Sequence, residues 1–397
     1  MFSNILSFIL KYKFILLFYL FIIAFLIFKR KKVDVQAKII FLYRTKLGLR
    51  WMDKYAAKFR EWIILLGYIG VGAGYVGLVF ISYILIKNLY NIITQPAASS
   101  GVSLVLPGIN VPGLGILPFW YWFFAIFIIA IVHEFSHGIV ARAHKIEVKN
   151  SGFAFLGPII GAFVEPNETK MRKEKDIVQY SVLAAGPFSN IILAVVAILL
   201  LSFAFGPLQQ SMVDPTGFTF DNYVNESLPF AQAGILPGTL ITGINDETMD
   251  GFEKFSEELS FHRPGETITI KTPEKDYSIT LATNPDNPKK SFLGINSIHN
   301  EFETKEKYSM GLWKRVYVSI NWFNEFLKWL FILSLGIGLF NLLPLPIVDG
   351  GRMAQVFLHK LKGPEKGEKR YHQISLFFLL ILLLNLLYPL FIKLFGF

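Results

Sequence analysis

The sequence predicts a mainly α-helical polytopic membrane protein of about six spans, interrupted once by a soluble domain. Of its 397 residues, 53% are hydrophobic and only 17% are charged, an apolar share above the globular norm and a charged share below it. The apolar residues, 39 Phe among them, gather into long blocks instead of recurring at the spacing of amphipathic helices or half-buried strands. One extended hydrophilic stretch, about residues 206–310, separates the last two blocks from the rest.

A hydrocarbon core about 30 Å thick needs roughly 20 apolar helical residues to cross it. Residues 5–28, 62–86, 116–140, 178–205 and 374–392 satisfy this readily. A sixth block, 316–339, is punctuated by Asn321, Asn324, Glu325 and Lys328, so its first half is expected at the membrane interface. Lys11 and Lys13 interrupt the first block. That block is too long for a signal-peptide core and lacks a small-residue cleavage site, so it reads as a retained anchor.

Orientation follows from the basic residues beside the spans. Lys29 to Lys32, Lys38, Arg44, Lys46, Arg50, Lys54, Lys58 and Arg60 crowd the first connection, which is expected to be cytoplasmic, whereas residues 88–115 hold no Lys or Arg and should face outward. Later basic clusters around Arg142 to Lys175 and Arg352 to Arg370 mark further inner loops. The hydrophilic stretch alternates strand-like runs, Thr267 to Ile270 and Tyr277 to Leu281, with Pro and Gly turns, and by the alternation of spans it lies outside the cytoplasm. Four segments result: 1–115 with the first helices and the basic loop, 116–206, the soluble domain at 207–310, and 311–397.

The net charge of +10 sits between apolar blocks, where it orients spans, and nucleic-acid binding is not expected. Cysteine is absent, so disulfides and thiolate ligands are excluded and any metal must be held by His and carboxylate.

His133-Glu134-Phe135-Ser136-His137 lies near the end of the third block. On a helix, positions four apart share a face, so both imidazoles can bind one cation with Glu134 close enough to work on its water. Ionisable groups in a span are costly and tend to mark function. The alternative is a polar helix end. Catalytic zinc takes three protein ligands and an open position, so a further ligand is required.

The second unusual passage runs from Asn341 through Pro344, Pro346 and Asp349 to Gly351. Its prolines break the preceding helix and its glycines permit close backbone approach, so Asp349 could be presented to the interior on irregular backbone. A turn in which Asp349 caps the next helix is the other reading.

Together these passages resemble the site-2 protease family of intramembrane zinc metalloproteases, whose two signatures match His133 to His137 and Asn341 to Gly350; Gly186-Pro187-Phe188-Ser189-Asn190 resembles the family's Gly-x-x-x-Asn helix motif. The resemblance implies one Zn2+ per chain held by His133, His137 and Asp349, with Glu134 as general base and Asn341 assisting the oxyanion. It also likens residues 151–166, too short to span and containing Gly152, Gly157, Pro158 and Gly161, to a membrane-dipping β-hairpin whose edge could hold substrate in extended form. Gly186 and Asn190 share a helix face, where close packing and an interhelical hydrogen bond are the expected roles. His144, His262, His299, His359 and His372 fall in loops or interfacial positions and are expected to be solvated or capping.

Within the soluble stretch, Ser227 to Gly238 followed by Leu240 to Asn245 resembles a PDZ domain of the protease-associated type, with Phe252 to Phe261 as its groove helix. Such an α+β unit would take a peptide or a substrate terminus by strand addition.

These readings converge on an endopeptidase of a prokaryotic cell membrane. It would cut transmembrane segments of substrate proteins in regulated intramembrane proteolysis, by water activated at zinc, with its site toward the cytoplasm. Two rivals are a metal transporter, since His and carboxylates also line ion paths, and a noncatalytic PDZ-bearing receptor. The Glu between the two His disfavours the first, and stoichiometric zinc would disfavour the second.

Overall fold

In a surround without water, backbone N–H and C=O groups must pair within their own segment, so long apolar runs fold as helices. The computed structural model describes residues 2–36, 40–94, 102, 105–111, 115–156, 159–285 and 287–395. The chain divides into two compact units, Met1–Leu201 with Glu325–Phe397, and Ser202–Asn324.

The first unit begins with α1 (Phe2–Phe28), the hairpin β1 (Val33–Gln36) and β2 (Ile40–Thr45), the short helix α2 (Leu49–Lys58), and the long helix α3 (Arg60–Thr94). After the small pair β3 (Asn110–Val111) and β4 (Gly115–Ile116) come α4 (Phe119–Ala143), β5 (Val148–Leu156), β6 (Ile159–Pro166), α5 (Glu168–Met171) and α6 (Asp176–Leu200). Among the described residues, five helices are long and apolar enough to cross a membrane: α3, α4, α6 with its continuation, and the later α11 (Gly311–Phe340) and α13 (Pro364–Phe395). The first expected span, residues 5–28, is not among the five. Helix α1 is broken at Tyr12 (φ −107°, ψ 16°), between Lys11 and Lys13, and its apolar part is only Tyr12–Phe28.

Helix α6 packs against α3, α4 and α12 (Asp349–Lys362). Small residues permit the close approach: Gly70 of α3 abuts Phe188, and Gly74 abuts Ala184 and Met353. Leu183, Ala184, Leu342 and Met353 form one buried cluster, and Leu49, Met52, Val140, Ala141, Ile146 and Val182 belong to another.

The hairpin is present as β5 and β6, paired antiparallel with Ser151 opposite Val164 and Phe153 opposite Ala162. Its tip residues Gly157 and Pro158 lie outside the described residues, as does part of the connection 88–115. The basic segment after α1 is expected to be a loop. Instead β1 and β2 extend the hairpin into a four-stranded sheet of order β1-β2-β5-β6, with Tyr43 opposite Phe153. Its aromatic and β-branched residues suit a pleated surface. Arg44 of β2 ties the sheet together by donating to Glu165 of β6 (3.1 and 3.2 Å) and to Asp34 of β1 (2.7 Å). Strand β6 is left at an edge.

The second unit is wider than the expected 207–310. It contains α7 (Gly206–Gln210), β7 (Val213–Tyr223), α8 (Pro229–Gln232), β8 (Gly243–Ile244), β9 (Glu247–Thr248), α9 (Phe252–Leu259) and β10 (Thr267–Lys271). It continues with β11 (Tyr277–Thr280), β12 (Ala282–Thr283), β13 (Ser291–Phe292), β14 (Ile295–Thr304) and α10 (Glu306–Ser309). Strands β7 and β14 pair over their length, and a second sheet runs β11-β10-β8-β9. Phe218, Phe220, Phe230, Phe255, Ile241, Ile244 and Ile270 are fully buried in its core, each worth about 1.5–3 kcal/mol of transfer free energy.

Candidate active site

Four-residue spacing on α4 sets His133 beside His137, both buried, edge to face with ring centroids 4.8 Å apart. The second contributor arrives by a helix break. Helix α11 stops at Phe340, residues 341–348 follow an irregular path past Pro344 and Pro346, and the Gly350 N–H closes the loop on the Asn341 carbonyl at 2.8 Å. Asp349 itself lies in the first turn of α12, after the extended Val348, which is closer to the reading that puts it at the start of the next helix than to the one that puts it on irregular backbone. Its carboxylate thereby gains the favourable field of a helix N-terminus. Gly350 and Gly351 lie against the Leu342 and Leu345 carbonyls, where a side chain would collide.

The two passages meet. His133 Nε2 and His137 Nε2 are 3.2 Å apart, and Asp349 Oδ2 is 3.2 Å from the first and 3.3 Å from the second. Four tetrahedral bonds of 2.0–2.1 Å set neighbouring ligand atoms about 3.3 Å apart, so this triangle has the edge of one face of a zinc coordination sphere. Among the described residues it is the one His and carboxylate group that could hold a metal ion.

The surrounding hydrogen bonds test the fit. His137 Nδ1 lies 2.6 Å from the Val182 carbonyl, to which it donates, leaving Nε2 with its lone pair inward. His133 Nδ1 lies 3.0 Å from Asn190 Nδ2, while Asn190 Oδ1 is buried without a partner. Exchanging the ends of that amide, which differ only in hydrogens, seats Oδ1 on Nδ1–H and satisfies both groups when Nε2 carries the metal. The donor set and its second layer therefore fit zinc.

Gly186 shows what the Gly-x-x-x-Asn face is for. A side chain there would run into Nε2 of both histidines. The packing role expected for Gly186 and Asn190 is thus directed at the metal-ligand pair itself, and Asn190 is further fixed by Ser334 Oγ, which donates to its carbonyl at 2.7 Å.

Glu134 and Asn341 line the same cavity of about 630 Å3, together with Gly161 to Val164 of β6, Ile347 and Arg352. Glu134 Oε2 accepts the backbone N–H of Val164 at 2.8 Å. Sequence reading missed this bond, the Val182 carbonyl, and the ion pair of Arg352 with Glu168 (2.7 Å) that joins α12 to α5. Each involves backbone or a partner far along the chain, which no local spacing signals. Of the remaining histidines, His359 and His372 lie within helices and approach Glu368.

A histidine pair and an aspartate converging on one point among long apolar helices make a candidate metal centre in an integral membrane protein. The Peptidase family M50 model matches residues 121–384, and the chain belongs to that family. An uncharacterized protein of Methanocaldococcus jannaschii is 29% identical over 81% of this chain and 78% of its own length. The zinc metalloprotease RasP of Oceanobacillus iheyensis is 25% identical over 51% of this chain and 57% of its own length, so the match spans little more than half of that relative. The protein is a zinc metalloprotease of the membrane.

Proposed function

We propose that the protein is an intramembrane endopeptidase that cuts transmembrane segments of substrate proteins, as in regulated intramembrane proteolysis. One observation carries the reading: the metal-ligand triangle shares its cavity with β6, the edge strand of its sheet. A helical peptide bond is shielded by its own hydrogen bonds, and an edge strand can hold the unwound chain by strand addition. A second, wholly apolar cavity of about 250 Å3, lined by Phe18, Phe25, Trp122 and Phe155 among others, adjoins the first through Ile126, Ala130, Gly161 and Ala162. That continuity supports an apolar substrate arriving from the lipid side.

His133, His137 and Asp349 would hold the ion. Zinc in that place supplies a Lewis acid that acidifies water and polarises the scissile carbonyl. Glu134 takes the proton of the attacking water and passes it to the departing amine, so no acyl-enzyme forms. Asn341 donates to the oxygen on which negative charge develops. The basic clusters flanking both motifs support a site toward the cytoplasm of a prokaryotic cell, and residues 207–310 act outside it as a PDZ-like module for a substrate terminus.

The test incubates purified protein with a single-span substrate in detergent. Cleavage that disappears in Glu134→Gln, with zinc retained, is expected. Cleavage undiminished in that variant overturns the mechanism, and zinc uptake into vesicles without any cleavage favours transport.

A further inference from the structure

Helix α2 offers three chemically different faces. Leu49, Met52 and Ala56 are buried. Met52 packs against Gly138 of α4 at a distance that leaves no space for a side chain, and Gly48 abuts the Phe135 ring. This face therefore rests on the turn of α4 that carries His133 to His137.

A second stripe is apolar and exposed. Trp51 and Tyr55 lie four apart on α2 and so share one side, Leu47 precedes the helix, Phe59 follows it, and Trp62 comes at the start of α3. Trp51 and Trp62 are 63% and 68% exposed, and consecutive rings of the stripe lie 6.2 and 6.3 Å apart. Beside it runs a basic stripe with the same period, Lys46, Arg50, Lys54 and Lys58, all exposed. A cleft of about 500 Å3 against the end of α4 is lined by Arg60, Arg142, Lys145 and Lys170, of which Arg60 pairs with Glu61 (2.9 Å), Arg142 with Asp53 (3.0 Å) and Lys170 with Glu147 (4.0 Å). Phe59 leaves the helical region (φ −118°, ψ 30°), so α2 is not a continuation of the apolar helix α3.

Water does not favour so many aromatic rings in one exposed row, whereas the lipid headgroup layer takes their apolar bodies and welcomes adjacent cations. We propose that α2 is an interfacial helix that binds anionic phospholipid headgroups and so sets the depth at which α4 holds its histidines. The partner is fixed by charge: each basic side chain near an anionic surface strengthens association about fivefold, a gain that a neutral surface does not give. Depth is transmitted through the Met52–Gly138 and Gly48–Phe135 contacts, because packed faces move together.

The chain has no cysteine, so Leu47→Cys provides a single labelling site that leaves the three rings of the stripe intact. The full-length labelled protein, carrying an environment-sensitive fluorophore, is reconstituted in phosphatidylcholine vesicles with and without phosphatidylglycerol. Lipid-like emission is expected with phosphatidylglycerol. It should become water-like in 1 M salt, where charges are screened beyond about 3 Å, and when Lys46→Gln, Arg50→Gln, Lys54→Gln and Lys58→Gln are combined. Water-like emission on the anionic vesicles overturns the proposal. So does lipid-like emission unaffected by lipid charge, salt or the four substitutions, which would mean apolar insertion without headgroup recognition. The probe reads docking without any cleavage, so failure of the peptidase reading leaves this result interpretable.

Discussion

Val164 donates its backbone N–H to the Glu134 carboxylate at 2.8 Å, tying the edge strand of the sheet to the residue between the two histidines. One carboxylate thus senses both the strand that would present substrate and the metal-ligand triangle.

For Glu134→Gln, loss of a general base predicts a fall in kcat of about 100- to 10,000-fold. Zinc content by elemental analysis should stay at one per chain, since Glu134 is outside the ligand triangle.

Asn190→Ala removes the partner of His133 Nδ1, and loss of such an outer hydrogen bond weakens metal affinity by about 10- to 100-fold. Asn190→Asp keeps an acceptor there and should retain more of the affinity. Competition against a chelator measures both.

Gly186→Ala places a methyl group against Nε2 of both histidines. Purified variant protein is expected to lack stoichiometric zinc while the second unit, whose buried core is made of its own residues, keeps its fold. Elemental analysis and near-ultraviolet circular dichroism of the Phe-rich core would check the two halves of that statement.

A zinc site assembled only by folding stabilises the folded state, so removing zinc should lower the melting temperature. At free zinc 100-fold above Kd the stabilisation is about 2.7 kcal/mol. His137→Ala should melt at the same temperature with and without chelator.

The Arg44 guanidinium beside Glu165 holds that carboxyl below its ordinary value, with Asn150 assisting. A depressed carboxylate contributes stability that is fully present above the unfolded value of about 4.3 and is lost as pH falls through the lower folded value. Both side chains are partly exposed, so the effect is local and modest. Hydrogen exchange at β6 should quicken below about pH 4 in the wild type, and Glu165→Gln should show the quickened rate already at neutral pH.

Much of this protein was legible in one dimension because the physics involved is local. Hydrophobic blocks long enough to cross a bilayer announce helices, and a four-residue interval aligns His133 with His137 on any helix. Lys11 and Lys13 already flagged the first block, where the helix breaks at Tyr12. Pro344 and Pro346 foretold a broken backbone, and one of two open readings put Asp349 at the start of the next helix, where α12 begins.

Tertiary structure alone decided what crosses the chain. Strands β1 and β2 are short and sit in a basic segment, so nothing nearby in sequence says that β2, with β1 on its far side, pairs with β5, more than a hundred residues on. Asn190 and Gly186 carry a helix-packing pattern that many spans share, and only the fold directs it at two imidazoles. The separation of 3.2 Å between His133 and Asp349 bridges 216 positions. Periodicity and local propensity determine which residues can act, whereas distance between remote residues is set by how whole helices pack, and packing is a property of surfaces that meet only after folding.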